Sequence, residues 1–348
     1  MGRPKLWGTI GLLLLGAAAL ADEGSYAAEF LTVGVGARAA AMGEAAVAIA
    51  EDATAAYWNP AGLMGVPAYA FAAQHADLFQ SGGGAVLTRG LAQYNFLNLV
   101  LPFRDQERLA ISWVRLSVDE IPRVTFQDDN GDGILGTYRD RNGNGRKDPG
   151  EYYVDTPTVA ETFSNSDNAL LISWARPIGS RLSIGVTGKW IRQSVFTYSG
   201  IGVGLDLGAR YALSKHVVLG LSLQDLFGTR IRWNTPARPG FVLPTNPRLG
   251  AGIRLPFRRL LTLTLAADLD GRRTVQRTAE ESPSRWHAGM ELTLLRVASL
   301  RVGYDAGAVT AGAGFRIPIQ RAVFEVDYAF MSHPDLGDVQ RLSLVGGF

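Results

Sequence analysis

From Asn246 to the C-terminal Phe348, apolar and polar positions alternate one by one. Between Arg248 and Phe257, Leu249, Ala251, Ile253, Leu255 and Phe257 fall on one face, and Arg248, Gly250, Gly252 and Arg254 on the other. In the next segment Leu261, Leu263, Leu265 and Leu269 oppose Thr262, Thr264, Asp268 and Asp270. Further back, Ile201, Val203, Leu205, Leu207 and Tyr211 oppose Gly202, Gly204, Asp206, Gly208 and Arg210. Strand side chains alternate faces, so each segment has one apolar and one polar or small face. A soluble sandwich alternates too. Here charges recur in mid-strand on the polar side, with glycine beside them, as expected of a barrel with a polar interior and a lipid-facing exterior.

About fourteen such segments are expected, within the range of bacterial barrels. They begin near Tyr69, Leu91, Leu109, Asn168, Leu182, Ile201, Val217, Arg248, Leu261, Trp286, Leu300, Val309, Val323 and Gln340, the first four being blurred. Connection lengths test this independently. Arg104 to Arg108, Pro177 to Arg181, Ser214 to His216, Arg258 to Leu260, Arg296 to Ser299 and Pro318 to Arg321 are short; Glu120 to Asp167, Gly228 to Thr245 and Gly271 to Arg285 are long. Outer-membrane barrels have short periplasmic turns and longer outer loops. If the first strand runs outward, every long connection falls outside. The chain ends with Leu342, Leu344, Gly346 and Phe348 on one face, the pattern of a closing strand read by the barrel-insertion machinery.

The N-terminus reads as an export signal. Arg3 and Lys5 precede a mostly apolar Leu6 to Leu20, and Ala19-Leu20-Ala21 is a small-x-small cleavage site before Asp22. No later stretch offers ~18 consecutive apolar residues, so a helical membrane protein is not expected. Gly34 to Gly65 breaks the alternation: it is Ala- and Gly-rich, with Ala39 to Ala50 able to form a short helix and Asn59-Pro60-Ala61-Gly62 a turn. It is too apolar to float free, and the simplest home for it is inside the barrel as a plug. The expected organisation is a leader over 1–21, a plug segment over 22–67 and a barrel over 68–348, carrying an outer-loop insertion at 121–167.

Composition narrows the functions. There is no cysteine, which removes disulfides, thiolate metal sites and cysteine nucleophiles, and the net charge of +2 does not suggest a nucleic-acid binder. His75, His216, His287 and His333 do not pair at ligand spacing. His287 and His333 are placed to approach each other at the outer rim, but without a nucleophile motif an enzyme is not expected.

The plug segment also carries a resemblance. Gly36-Ala-Arg38-Ala-Ala-Ala-Met-Gly43, Ala45 to Ala53 and Tyr57-Trp58-Asn59-Pro60-Ala61-Gly62-Leu63 resemble the N-terminal signature of the PorV/PorQ group within the FadL-like outer-membrane proteins. Ser199 to Asp206, Leu221 to Leu226, Ala266 to Leu269 and Val326 to Phe330 look like the same group. The resemblance implies a fourteen-stranded barrel with an N-terminal hatch bearing Gly36, Arg38, Gly43, Trp58, Asn59, Pro60 and Gly62. It implies two roles: handling of secreted protein cargo in type IX-like secretion, the reading that the signature favours, or a FadL-type channel for long-chain fatty acids and other hydrophobic compounds.

Alternation places Asp206, Arg210, Arg254, Asp268, Glu291, Arg316 and Asp327 in the lumen, with Asp270, Arg301, Asp305 and Glu325, as a polar path, a plug cradle or ordinary lumen solvation. Tyr304, Tyr328, Phe330 and Trp286 are expected on the outward face as an interfacial girdle. Arg230, Arg232, Arg238, Arg272, Arg273 and Arg277 make the outer loops basic, which suits lipopolysaccharide phosphates as well as plain solvation. Finally, Asp140 to Glu151 matches a twelve-residue calcium loop at every fixed position. Asp140, Asn142 and Asn144 supply side-chain oxygens, Gly145 the sharp turn, Arg146 its carbonyl, Asp148 a water-mediated contact and Glu151 a bidentate carboxylate. Asp128, Asn130 and Asp132 begin a second loop whose twelfth position is Arg139, so that one is incomplete. The alternative is a solvated turn region rich in Asn and Gly.

Overall fold

The computed structural model describes residues 28–80, 91–131, 133–143, 145–147, 149–235, 240–257, 260–271, 285–331 and 338–348. Residues 1–27, which include the expected export signal, and His333, Arg238, Arg272, Arg273 and Arg277 lie outside them.

Sixteen strand segments form one antiparallel sheet. They are β1 (Ala70–Gln80), β2 (Ala92–Phe103), β3 (Glu107–Gln127), β4 (Thr156–Ile178), β5 (Leu182–Val195), β6 (Tyr198–Ala212), β7 (Val217–Gln224) and β8 (Thr229–Trp233). The rest are β9 (Gly240–Leu243), β10 (Asn246–Phe257), β11 (Leu261–Asp270), β12 (Arg285–Leu294), β13 (Ala298–Asp305), β14 (Ala308–Ile319), β15 (Ala322–Met331) and β16 (Asp338–Gly347). The sheet closes where β1 pairs with β16, Ala70 opposite Gly347, and where β5 pairs with β6. β7 and β8 follow one another along β6, which pairs Leu207 with Leu223 and Val203 with Arg230. β9 and β10 follow one another in the same way on the other side. The sixteen segments are therefore fourteen staves, a closed fourteen-stranded antiparallel barrel.

Each of the fourteen expected segments coincides with one stave. The exterior is apolar, with Leu97, Ile172, Val203 and Leu300 each 49–66% exposed. Trp286 and Tyr304 face outward, and Tyr328 and Phe330 are partly exposed. Such a surface is stable only against lipid.

One expectation needs correction. The insertion from Glu120 to Asp167 is not simply a loop: β3 runs to Gln127 and β4 starts at Thr156. These strands, of 21 and 23 residues, are about twice the ~9–11 needed to cross a bilayer, so the hairpin projects well beyond it. Register shifts at Val118/Ile121 and Arg123/Val124 accompany the exit. Beyond them both faces are largely exposed, which erases the alternation that betrays a strand in sequence. At the tip, Phe126 packs on Tyr153 (centroids 4.7 Å), and buried Asp155 accepts from the Thr137 and Asp129 amides at 2.8 and 3.2 Å.

Candidate functional site

The segment ahead of β1 is folded into short pieces: α1 (Ala37–Ala41), α2 (Ala55–Trp58) and 3-10 turns at Glu29–Thr32 and Pro60–Gly65. None is long enough to be stable alone; nearly all of its residues are buried. It bonds to strands all around the closed sheet, so it occupies the lumen. Ser343 on β16 accepts from the Ala37 amide at 3.1 Å, Thr310 on β14 from Gly43 at 3.1 Å, and Asp268 on β11 from Val47 at 2.9 Å. Opposite, Ser183 on β5 donates to Ala61 O at 3.0 Å.

Glycines set how closely the plug can sit. A Cβ on Gly185 would collide with Pro60, on Gly220 and Gly250 with Val47 and Ala48, on Gly289 with Met42, and on Gly303 with Gly43. Of the glycines in the alternating pattern, Gly208 against Asn59 and Pro60 and Gly252 against Ile49 are likewise seats of the plug, whereas Gly202 and Gly204 lie against β8; in the sequence all of them read only as part of a polar face.

The signature residues have local tasks. Gly36 (φ 85°) and Gly43 (φ 63°) take left-handed turns at the two ends of α1. Trp58 Nε1 donates to Val35 O at 2.9 Å, and the Arg248 guanidinium stacks 5.1 Å from the Trp58 ring centroid. Asn59 caps the following turn by accepting from Ala61 N at 3.1 Å and donates to Val47 O and Ala209 O at 2.9 and 3.1 Å. Pro60 starts that turn, and Gly62 lies against Ala50 O with no room for a Cβ. Arg38 holds Glu291 on β12 with a two-pronged contact at 2.8 and 2.9 Å.

From Glu291 the charges continue around the wall. Arg301 donates to Glu291 at 2.7 Å, Asp327 at 2.5 Å and Glu325 at 2.9 Å, and Arg316 donates to Glu325 at 2.6 Å. Glu51 of the plug pairs with Arg210 and, at 3.0 Å, with Arg254. Burial opposes ionisation of Glu51, but the two arginines outweigh it and hold its carboxyl below the usual value. Glu44, also in the plug, goes the other way: burial, reinforced by Asp305, pushes it up to about 7. Asp206 faces inward with Lys189, which reaches both Asp206 and Asp225 at 2.7 Å. Asp225 and Phe227 adopt positive φ at the break between β7 and β8.

Of the seven residues placed in the lumen by alternation, Arg210 and Arg254 pair with Glu51 of the plug, Asp268 accepts from Val47 and Glu291 from Arg38, Asp327 and Arg316 join that network through Arg301 and Glu325, and Asp206 pairs with Lys189. His287 is not at an outer rim: it is buried in the lumen and bonded to Gly43 O at 3.1 Å.

The opposite side of the lumen differs from expectation. On β2 to β4 many inward positions are apolar: Tyr94, Phe96, Val100, Ala110, Val114, Ala169 and Leu171 are buried, with Ile191 of β5 beside them, whereas Asn98, Ser112 and Ser173 and, on β5, Ser183, Thr187, Lys189 and Gln193 are buried polar groups. The apolar residues form one core with Phe30, Leu31, Tyr57, Trp58 and Leu63 of the plug. The lumen thus has a charged side, β10 to β16, and a side that carries an apolar patch, β2 to β4. A cavity of about 570 Å³ lies at the short-turn end, lined by Arg38, Glu51, Asp52, Arg254, Glu291, Arg316 and Glu325 among others. It is a polar vestibule and stops at the plug. In the β3–β4 tip, Asp140 accepts from the Gly143 and Gly145 amides at 2.6 and 2.8 Å, and Glu151 from Arg141 at 2.7 Å. Asp128 accepts from Gly131 and Gly133 at 2.7 and 2.9 Å. Asp132, Asn144 and Asp148 lie outside the described residues.

No family model and no curated protein matches the chain. Solved structures do. The CymD monoaromatic hydrocarbon channel superposes with a TM-score of 0.56 at 13% identity, covering 91% of this chain and 98% of that one. The Ralstonia pickettii toluene transporter TbuX gives 0.54 at 12%, covering 90% and 97%. A Pseudomonas aeruginosa FadL homologue gives 0.50 at 13%, covering 88% and 95%. At these identities the likeness establishes the fold, and the fold is that of the FadL-type outer-membrane barrels.

Proposed function

We propose that the protein is an outer-membrane channel for hydrophobic small molecules, closed by its N-terminal plug. The observation that carries this is the apolar patch on the inner wall of β2 to β4. A water-filled pore has a polar interior. Here Tyr94, Phe96, Val100, Val114, Leu171 and Ile191 line an inner surface that the plug covers with Phe30, Leu31, Tyr57 and Trp58. An apolar compound could replace those plug contacts, whereas a polar solute could not. The similar structures, a monoaromatic hydrocarbon channel and a toluene transporter, point the same way. The test is uptake of a radiolabelled aromatic hydrocarbon and of a long-chain fatty acid by outer-membrane vesicles carrying the wild type or Phe96→Asp. Uptake of one of them above empty vesicles, lost in the folded variant, supports the reading. Uptake of both equal to empty vesicles sinks it.

The sequence ranked type IX-like cargo handling first. That role rests on the plug signature alone, and the ranking is now reversed. Recovery of secreted proteins sharing a C-terminal sorting domain on the solubilised barrel would restore it. Lipopolysaccharide remains a proposed neighbour of exposed Arg230 and Arg232. Calcium in the loop Asp140 to Glu151 remains a proposal carried by the sequence pattern.

A further inference from the structure

The outer surface of the wall carries a polar rung on strands that face lipid. Register places His75, Asn95, Arg115, Asn168 and Arg192 directly opposite one another across β1 to β5. All five point outward, because a strand neighbour of each (Gln74, Tyr94, Val114, Ala169 and Ile191 in turn) is buried in the lumen. Across β6 the same rung passes Ile201 and reaches Arg232 on β8. Arg230, also on β8, stands one rung nearer the short-turn end, opposite Val203. Arg230 and Arg232, expected in an outer loop, are therefore wall residues. That nearer rung is wholly apolar from β2 to β6: Leu97, Trp113, Leu170, Trp190 and Val203. Trp113 Nε1 reaches back to Asn168 Oδ1 at 3.2 Å, the posture of an aromatic with its ring in lipid and its N–H at the polar boundary. The polar rung thus marks the outer edge of the apolar band, at headgroup level.

The charge at this level has one sign. Arg115, Arg192, Arg230 and Arg232 have no carboxylate partner among the described residues. The next rung outward is Asp77, Gln93, Ser117, Ser166 and Ser194, and its one acid sits at the β1 end, facing His75 Nε2 at 3.5 Å. Arg115 is half-buried, and its Nε is buried without a hydrogen-bond partner, which is costly. Arg192, Arg230 and Arg232 are exposed. Neighbouring strands lie about 4.8 Å apart, so the Cα atoms of Arg115 and Arg192 stand roughly 10 Å apart, as do those of Arg192 and Arg232. A lipid face tolerates such charges at the interface and not at the midplane. A row of like charges there still calls for an anion.

We infer that this belt binds the phosphorylated sugar headgroup of an outer-leaflet glycolipid, whose acyl chains lie down the wall over Leu97, Leu170 and Trp190. Guanidinium groups match phosphate oxygens with paired, charge-assisted hydrogen bonds. Asn95 and Asn168 place side-chain amides beside them, which suit sugar hydroxyls. A free phosphate answers the charge and leaves the apolar rung beneath it bare, whereas a lipid covers both. A zwitterionic headgroup brings an ammonium that four arginines repel. For Arg230 and Arg232 the inference rests on the lipid contact proposed above. It moves the centre of that contact onto Arg115 and Arg192 of the wall, and it does not depend on what the channel carries.

The test uses the full chain, purified in detergent and stripped of native lipid, with bound lipid counted by native mass spectrometry. The probes are lipid A with its phosphates, the same lipid A dephosphorylated, phosphatidylethanolamine and inorganic phosphate. Wild type should bind phosphorylated lipid A at least about tenfold more tightly than the other two lipids. Arg115→Gln combined with Arg192→Gln should remove that preference. Arg176→Gln deletes an outward charge at the short-turn end of β4 and should keep it. A heat-sensitive shift in gel mobility shows that each barrel is intact. The inference falls if wild type binds the two forms of lipid A alike, or if the folded double variant keeps the preference. It falls too if inorganic phosphate at equal concentration displaces the lipid, which would make the belt a free-anion site. Loss of the preference in Arg230→Gln with Arg232→Gln, but not in the Arg115 and Arg192 variant, would move the contact to β8 and overturn the belt. Since transport is not measured, failure here leaves the channel reading standing.

Discussion

Arg38→Ala tests whether ion pairs hold the plug. Arg38 makes two hydrogen bonds to Glu291 at 2.8 and 2.9 Å, with side chains only 17% and 7% exposed. Removing one partner of a buried pair costs about 3–5 kcal/mol when the survivor is left alone. Glu291 is not left alone, because Arg301 still donates to it at 2.7 Å. The expected loss is therefore smaller, about 2 kcal/mol, or roughly thirty-fold in the population of displaced plug. Hydrogen exchange followed by peptide mass spectrometry reads this locally: amides in 34–65 should exchange about thirty-fold faster while the strands are unchanged. Arg316→Ala is the control. Its side chain is 50% exposed and pairs with Glu325 on the wall, so it should leave plug exchange nearly unaltered. If the Arg38→Ala plug exchanges within about twofold of wild type, the charged side of the lumen does not hold it.

Three further outcomes are expected. Gly303→Val puts atoms where Gly43 N now sits, so it should displace the plug and raise single-channel conductance in planar bilayers; Gly188→Val, where a Cβ meets nothing within 4 Å, should not. Because Arg254 and Arg210 hold the Glu51 carboxyl below its usual value, its contribution is complete above the unfolded pKa of about 4.3 and is lost as pH falls through the folded value. Plug exchange, corrected for intrinsic rates, should therefore accelerate only on strong acidification, and Glu51→Gln should remove that component. Calcium should protect the β3–β4 tip from limited proteolysis in wild type and not in Glu151→Gln; equal cleavage with calcium and with chelator in wild type would dismiss the loop as a calcium site.

What was legible in the sequence depended on whether the two faces of a strand differ. From β10 onward one face meets lipid and the other meets charge, and the alternation is plain. In β2 the inward Tyr94, Phe96 and Val100 are as apolar as the outward Leu97 and Leu99, so the period of two fades although the strand is there. The blurring of the early segments was itself the signature of an apolar inner wall. Beyond the membrane neither face of β3 or β4 needs to be apolar, and the long hairpin reads as a loop. The lumen contacts were out of reach for another reason. Arg38 meets Glu291, and Glu44 meets His287 and Asp305, across more than half the chain, and only barrel closure fixes which side chains face the plug.

The two-sided lumen constrains how a plug of this kind could move. On β10 to β16 the plug is held by ion pairs, which no hydrophobic compound can replace. On β2 to β4 it is held mostly by apolar contact, which is non-directional and can be exchanged for any other apolar surface. A hydrophobic ligand entering between the plug and Phe96, Val114 and Leu171 would restore the buried area it disrupts, while the Arg38 to Glu291 contact stays intact as a pivot. The ligand path in the proposed channel therefore runs along β2 to β4, and the charged side is the hinge.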